Sequence, residues 1–382
     1  MAIGNGFSDP EHMLNYSDYL YQIGLIDINT KKIFQEQENI GIKYIQEKKW
    51  DDAFDVFDRL LDGDMCNSSV FKNVTGFTFY FNYLKSREDG SDMMGQYVQL
   101  NKVRNAIHVG NLTFHTDNKV EIMLKQDVMQ SVKPLVEVLL DSNYRVLIYN
   151  GQLDIIVAYP LTLGFLQNLK WSGTDAYKTA PRLQWHVDGD IAGYSKTVGN
   201  FTELLVFENH LLGDISDSTG FTFLYNYLKA QDDGGDLMGE YVQLSEVRNA
   251  IHVGSQIFNT GDKVQMMLKQ DFMQSVKPWI EILLDNNYRI LIYSGQLDII
   301  VAYPLSLGYL QALEWNGANA YKTAARNQWH VDGEIAGYSK TVGNFTELLV
   351  RDAGHMVPTD QPKWAFDMIN RFTSNKPFSN FK

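Results

Sequence analysis

Tyr293-Ser294-Gly295-Gln296-Leu297-Asp298 occurs twice in slightly different spelling, the other copy being Tyr149-Asn150-Gly151-Gln152-Leu153-Asp154, 144 residues earlier. In each, an apolar run with the composition of a buried strand (144–149, 288–293) breaks at a glycine, and an aspartate follows three residues later. Only the second copy is later joined by Ala353-Gly354-His355-Met356-Val357-Pro358. An Asp past one strand and a His past a later one is the order of the last two members of a Ser-Asp-His triad. There the Asp fixes the imidazole tautomer and the His takes the nucleophile's proton. Asp298 also reads as a turn residue and His355 as a surface histidine; their order and loop placement single them out.

The nucleophile of such a triad is not legible. No Gly-x-Ser-x-Gly elbow occurs in the 382 residues. The nearest forms, Gly193-Tyr194-Ser195-Lys196-Thr197 and its copy at 337–341, lack the second glycine and fall after the Asp, within a predicted hairpin. His108 and His252 lie in Ala-Ile-His-Val-Gly and read as core histidines, and His186 and His330 read as strand-edge residues. His210 is out of register with His355 and lacks its glycine, which leaves Asp154 as a degenerate copy of the aspartate position. No His/Asp/Glu spacing reads as a metal site, and no cofactor is expected.

Composition narrows the class. At 45% hydrophobic the chain can bury a large core, and a net charge of −13 argues against nucleic acid and anionic membranes as partners. No apolar run reaches bilayer-spanning length. The single cysteine, Cys66, excludes an internal disulfide and reads as a free thiol. The first residues lack a signal peptide's basic and apolar regions, yet glycosylation sequons stand at Asn15, Asn67, Asn73, Asn111, Asn200 and Asn344. Secretory marks without a secretory signal lead to the expectation that the beginning has been lost.

In chain order, residues 10–64 read as three helices. Asp9 and Pro10 start the first, and Met13, Tyr16, Leu20 and Ile23 carry it to a stop at Gly24. The second spans 31–48 and the third 50–61. From 75 to 206 the chain is repeated at 219–350 without gaps, with roughly three quarters of positions identical. Residues 206–214 resemble 56–64, so the second copy is expected to begin with the end of the third helix. Each copy runs through a short helix ended by Gly110 or Gly254 and a helix with Pro134 or Pro278 in its first turn. The Gly-Gln-Leu-Asp strand and a hairpin follow. The second copy alone adds the His355 loop, Asp360 as N-cap, Pro362 at N1 and an amphipathic helix through Trp364, Met368 and Phe372. Alternating helix and strand gives the α/β class. The expected organisation is a strand end and helical cap at 1–74, a first copy at 75–206, a junction at 207–218 and a complete second copy at 219–382.

Taken together, the Gly295–Asp298 turn, Ala336-Gly337-Tyr338, Gly354-His355-Met356-Val357-Pro358-x-Asp360-Gln361-Pro362, Val103-Arg104-Asn105-Ala106-Ile107-His108-Val109-Gly110 and Ala2-Ile3-Gly4-Asn5-Gly6-Phe7-Ser8-Asp9-Pro10 resemble serine carboxypeptidases, nearest the vitellogenic-like branch. The resemblance implies part of an α/β-hydrolase fold, its C-terminal half duplicated, with a helical cap. It implies release of C-terminal residues from peptide and protein substrates through an acyl-enzyme, at acid pH in lysosomes, vacuoles or secretions. Carried over, Asp298 is the triad aspartate, His355 the general base and Met356 a pocket residue for the departing amino acid. In the family the Ala-Ile-Gly-Asn-Gly stretch follows the nucleophile. The resemblance therefore implies an N-terminally truncated chain that lacks the Gly-Glu-Ser-Tyr-Gly serine and the Asn-Gly-Gly-Pro-Gly oxyanion loop. Such a chain would be inactive alone, a peptide-binding pseudoenzyme, or two neighbouring paralogues joined without their first segments. A sheet shorn of its central strands would expose an edge.

Overall fold

The computed structural model describes residues 1–66, 68–88, 93–114, 119–187, 190–211, 225–228, 237–258 and 261–379. Its strands form two mixed sheets with helices packed on them, an α/β architecture. The first sheet holds β1 (Ala2–Gly4), β2 (Val146–Gly151), β3 (Leu183–Val187), β4 (Asp190–Val198) and β5 (Phe201–Leu211) in the order β1-β2-β5-β4-β3. The second holds β6 (Ile290–Gly295), β7 (Asn327–Val331), β8 (Glu334–Val342) and β9 (Phe345–Val350) in the order β6-β9-β8-β7. Registers repeat with the sequence: Val146 faces Phe201 across the parallel β2–β5 pair, and Ile290 faces Phe345 across β6–β9. β1 pairs in parallel with β2, whereas β6 is an edge strand among the described residues.

The helical segment departs from its sequence pattern in detail. Leu14 and Asn15 divide the expected first helix into Pro10–Met13 and Tyr16–Gln22, and Gly24 (φ 73°) ends it in the left-handed region. Asp9 does not cap the first helix with its side chain; its carboxylate is 2.6 Å from Nδ1 of His12. The second helix, Ile28–Gln46, starts earlier than its apolar spacing suggests because Asp27 accepts the Thr30 amide at 2.9 Å as N-cap. The third, Trp50–Phe57, runs on through a π-helical turn, Asp58–Asp62.

Three further expectations are corrected. Residues 206–211, matched in sequence to a helix end, continue β5 instead, because pairing to β4 (Gly193 with Val206, Ile191 with Leu211) overrides the local resemblance. His108 and His252 are exposed, not core: each sits at φ 58° just after a short helix, so the chain leaves the helix there. Asp360 is not the N-cap of the last helix, Pro362–Thr373; Gln361 holds that position, and Asp360 closes the preceding turn Val357–Asp360.

One core spans both sheets. Tyr16, Leu20, Leu25, Phe34, Phe54 and Phe71 of the helical segment pack in it with Ile148 and Phe165 of the first copy and Tyr303, Leu307 and Leu349 of the second. A smaller core under the last helix joins Trp329, Leu348, Ala365 and Met368.

A cluster of acids sits at the margin of the helical segment. Asp58, Asp62 and Glu121 bring carboxylate oxygens within 4.8 Å of one another, and the phenol of Tyr80 donates to Asp62 at 2.6 Å. Burial, then Asp62, Asp64 and Asp58, raise Glu121 from 4.5 to about 7. A raised carboxyl pKa contributes stability below its unfolded value that is lost as pH rises through the folded one. Glu121→Gln is therefore expected to raise the melting temperature at pH 8 by about 2 °C and to leave pH 5 nearly unchanged. Thermal unfolding of both proteins at the two pH values checks this, and a lower midpoint for the variant at pH 8 contradicts it.

Candidate active site

Gly295 ends β6 where the chain must pass close beneath another backbone. A Cβ there would lie 2.0 Å from the Gly354 carbonyl oxygen and 2.5 Å from that of Ala353. The turn is then fixed by Gln296, whose amide donates to Val350 O at 2.9 Å, and by Leu297, whose amide donates to Ala353 O at 2.8 Å. The Gln296 side chain reaches both ways, donating to Ile23 O of the helical segment at 2.9 Å and accepting the Asp352 amide at 3.3 Å. These bonds deliver Asp298, nearly buried, to the C-terminal end of the sheet.

His355 arrives from the other side. β9 ends at Val350, Asp352 turns the chain at φ 49°, and Gly354 lets it lie against residues 225–226, where a Cβ would meet Tyr225 O at 2.1 Å. The His355 amide donates to that same carbonyl at 2.5 Å, and the Tyr225 ring stacks on the imidazole with centroids 5.4 Å apart. Asp360 pins the loop by accepting the Gly354 amide at 2.7 Å and the Asn226 amide group at 3.0 Å. Neither role, of Asp360 or of Tyr225, is legible in the sequence. The Pro after Asp360 suggested a cap, and Tyr225 lies 130 residues before the histidine it supports.

The structure brings Asp298 and His355 together. Nδ1 of His355 is 2.8 Å from Oδ2 of Asp298, while Oδ1 accepts the Val301 amide at 3.1 Å. The aspartate side chain is 5% exposed and the imidazole 38%, so one partner is fixed in the protein and the other opens to solvent. A carboxylate bonded at Nδ1 leaves Nε2 to face outward, the arrangement that lets a histidine accept a proton there. Met356, beside it, is exposed. Among the described residues no serine hydroxyl is bonded to this imidazole; Ser195 and Ser339 sit mid-strand on β4 and β8, paired with Leu204 and Leu348. Tyr225 also borders an open apolar groove of about 970 Å³ lined by Met238, Phe258, Leu268, Phe272 and Met273.

The first copy holds its aspartate differently. Asp154 accepts from the Asn5 side chain, which follows β1, and from the Val157 amide at 3.2 Å. The Tyr19 phenol donates to its backbone carbonyl at 2.9 Å. Where β9 turns towards His355, β5 keeps pairing with β4. Of the sequons, Asn15, Asn73, Asn111 and Asn200 are exposed, Asn344 is half-buried and donates to Asn287 O at 2.9 Å, and Asn67 lies outside the described residues.

Gly354→Ala is expected to cost about 1–3 kcal/mol by forcing the His loop off residues 225–226. Gly308→Ala, mid-helix with open space at its Cβ, is expected to stabilise by up to about 1 kcal/mol. Urea unfolding of the two variants checks the contrast; equal midpoints would show that the close approach at Gly354 is not limiting.

The family model described as serine carboxypeptidase matches residues 1–210 and again 226–375. The chain is 54% identical over 210 residues to a venom serine carboxypeptidase of Apis mellifera, covering 54% of this chain and 45% of that one. It is 44% identical over 213 residues to the probable serine carboxypeptidase CPVL of Homo sapiens, covering 54% and 44%. It is also 44% identical over 211 residues to the vitellogenic carboxypeptidase of Aedes aegypti, covering 54% and 45%. The chain thus spans about half the length of the curated relatives it matches. A solved structure of Kex1(delta)p, a prohormone-processing carboxypeptidase from Saccharomyces cerevisiae, aligns with a TM-score of 0.34 at 18% identity, covering 54% of this chain and 49% of that one. Matched by the family model along most of its length, the chain belongs to the serine carboxypeptidase family.

Proposed function

We propose that the chain carries the aspartate and general-base histidine of a serine carboxypeptidase centre. Asp298 orients the ring, His355 takes the proton of an attacking serine, and Met356 borders the pocket of the residue released from a peptide C-terminus. The observation that carries this reading is the 2.8 Å bond between Nδ1 of His355 and a nearly buried Asp298 at the carboxyl ends of adjacent parallel strands. The reaction is acyl transfer to serine followed by hydrolysis and calls for no cofactor. Family membership and the exposed sequons support a secreted or lysosomal setting; no described helix is long and apolar enough to cross a membrane.

The 382 residues contain no Gly-x-Ser-x-Gly, and loss of the nucleophile lowers turnover by about 10⁶ in a related triad. The isolated chain is therefore expected to release no C-terminal residues and to leave a fluorophosphonate probe unreacted. Supplying the remainder of the Apis mellifera relative, more than half of which lies outside the match, should restore release in a manner abolished by His355→Ala. Labelling of a serine within this chain alone would overturn the assignment. A second reading, peptide binding without turnover, draws on the open apolar groove beside Tyr225. Saturable binding of peptides by the isolated chain, weakened by Phe272→Ala and with no turnover on complementation, would favour it.

A further inference from the structure

The repeat sets each surface of one copy beside its counterpart in the other, and at one place the counterparts differ in what lies on them. In the second copy, Glu347 is buried on β9 and accepts from the phenols of Tyr303, at 2.6 Å, and Tyr321. Lys340 lies over the Tyr321 ring, and Arg326 stacks on Tyr338 with its guanidinium carbon 4.1 Å from the ring centre. This socket is filled by the turn after Gln22. Arg326 donates to Gly24 O at 2.6 Å, Asp27 Oδ2 lies 3.6 Å from Lys340 Nζ, and Asn29 donates to Lys322 O at 3.3 Å. Burial pushes the Asp27 carboxyl up, but the Thr30 hydrogen bonds and the charges of Lys340 and Arg326 outweigh it and hold the acid low.

The first copy builds the same socket from Tyr159, Tyr177, Arg182, Tyr194, Lys196 and Glu203. Both phenols again donate to the buried glutamate, Lys196 lies 4.2 Å from the Tyr177 ring centre, and Arg182 lies 3.9 Å from that of Tyr194. Here all of these side chains but that of Tyr194 line an open groove of about 590 Å³. Arg182 is exposed and Lys196 half-buried, where Lys340 is fully buried under the turn.

We propose that the Tyr159–Arg182–Lys196 groove binds an acidic peptide turn. The turn would present a backbone carbonyl to Arg182 and, three residues later, a carboxylate to Lys196, as Gly24 and Asp27 do to Arg326 and Lys340. The ring faces hold both cations at fixed positions, so recognition needs little rearrangement. A second copy of this chain is not the occupant: Leu25 and Ile26 are fully buried and Asp27 nearly so in their own molecule.

The test uses the full chain and a fluorescent, end-blocked peptide with the sequence of residues 20–31. Saturable anisotropy binding is expected, weakened at least tenfold by Lys196→Ala, by Arg182→Ala, and by Asp→Asn at the peptide position of Asp27. Circular dichroism of the two protein variants should be unchanged, since Arg182 is exposed and Lys196 only half-buried. Binding that ignores all three substitutions, or no saturable binding, overturns the proposal. Concentration-dependent self-association that disappears with Lys196→Ala overturns it in favour of a second copy.

Discussion

One helical segment has to cover two sheets. Residues 1–74 hold a single set of apolar side chains, and the repeat that follows supplies two surfaces that each need it. The structure divides the cover. Around the first aspartate turn the helical segment buries Met129, Ile155 and Val157; at the matching places of the second copy Met273 is 84% exposed, and Ile299 and Val301 are also bare. Around the buried glutamate the division is reversed, with Tyr303, Leu307, Tyr338 and Lys340 covered and Tyr159, Leu163, Tyr194 and Lys196 only half-buried. Burying one methionine side chain stabilises by about 1.5–3 kcal/mol, so each uncovered face forgoes several such increments. The arrangement holds because neither face loses everything.

The dyad inherits its geometry from that shared segment. Gln296 bonds to Ile23 O on one side and to Asp352 on the other, so the turn bearing Asp298 and the turn leading to His355 are tied to the same helix end. Arg351, buried at the start of the His loop, donates to Ile335 O at 2.7 Å and to Leu84 O at 2.9 Å, a tie to the start of the first copy. The loop therefore stands on contacts from both ends of the chain. A histidine held only by local turns would lose more entropy on closing the 2.8 Å bond.

What the sequence made legible follows from the range of the interactions involved. Strands β2 and β6, their glycine stops and the hairpins are local patterns, and they appear where apolar runs and strand-like alternation predict. The Asp298–His355 pairing was legible as an order of motifs because both residues sit at strand ends, where parallel pairing leaves little freedom of placement. The misses are partly tertiary and partly local. Asp360 looked like a cap because Pro362 is near, but its acceptors serve Gly354 and Asn226. The apolar neighbours of His108 suggested a core, yet the residue must take a left-handed turn and is exposed. Glu121 joins Asp58 and Asp62 from some sixty residues away, beyond any spacing rule.

The two copies also separate local from tertiary causes within one molecule. Lys196 and Lys340 share their strand position, their facing glutamate and their aromatic platform. Backbone propensity and near-neighbour chemistry are thus held constant between them. The difference in burial has one source, the turn carrying Gly24 and Asp27. A lysine is buried at little net cost only when a carboxylate meets it, and Asp27 supplies that for Lys340. At Lys196 the same desolvation has no such offset from the helical segment, so the side chain remains partly in water. The same sequence therefore gives a buried structural ion pair in one copy and a charged groove in the other, and the deciding variable is the geometry of a segment that can dock only once.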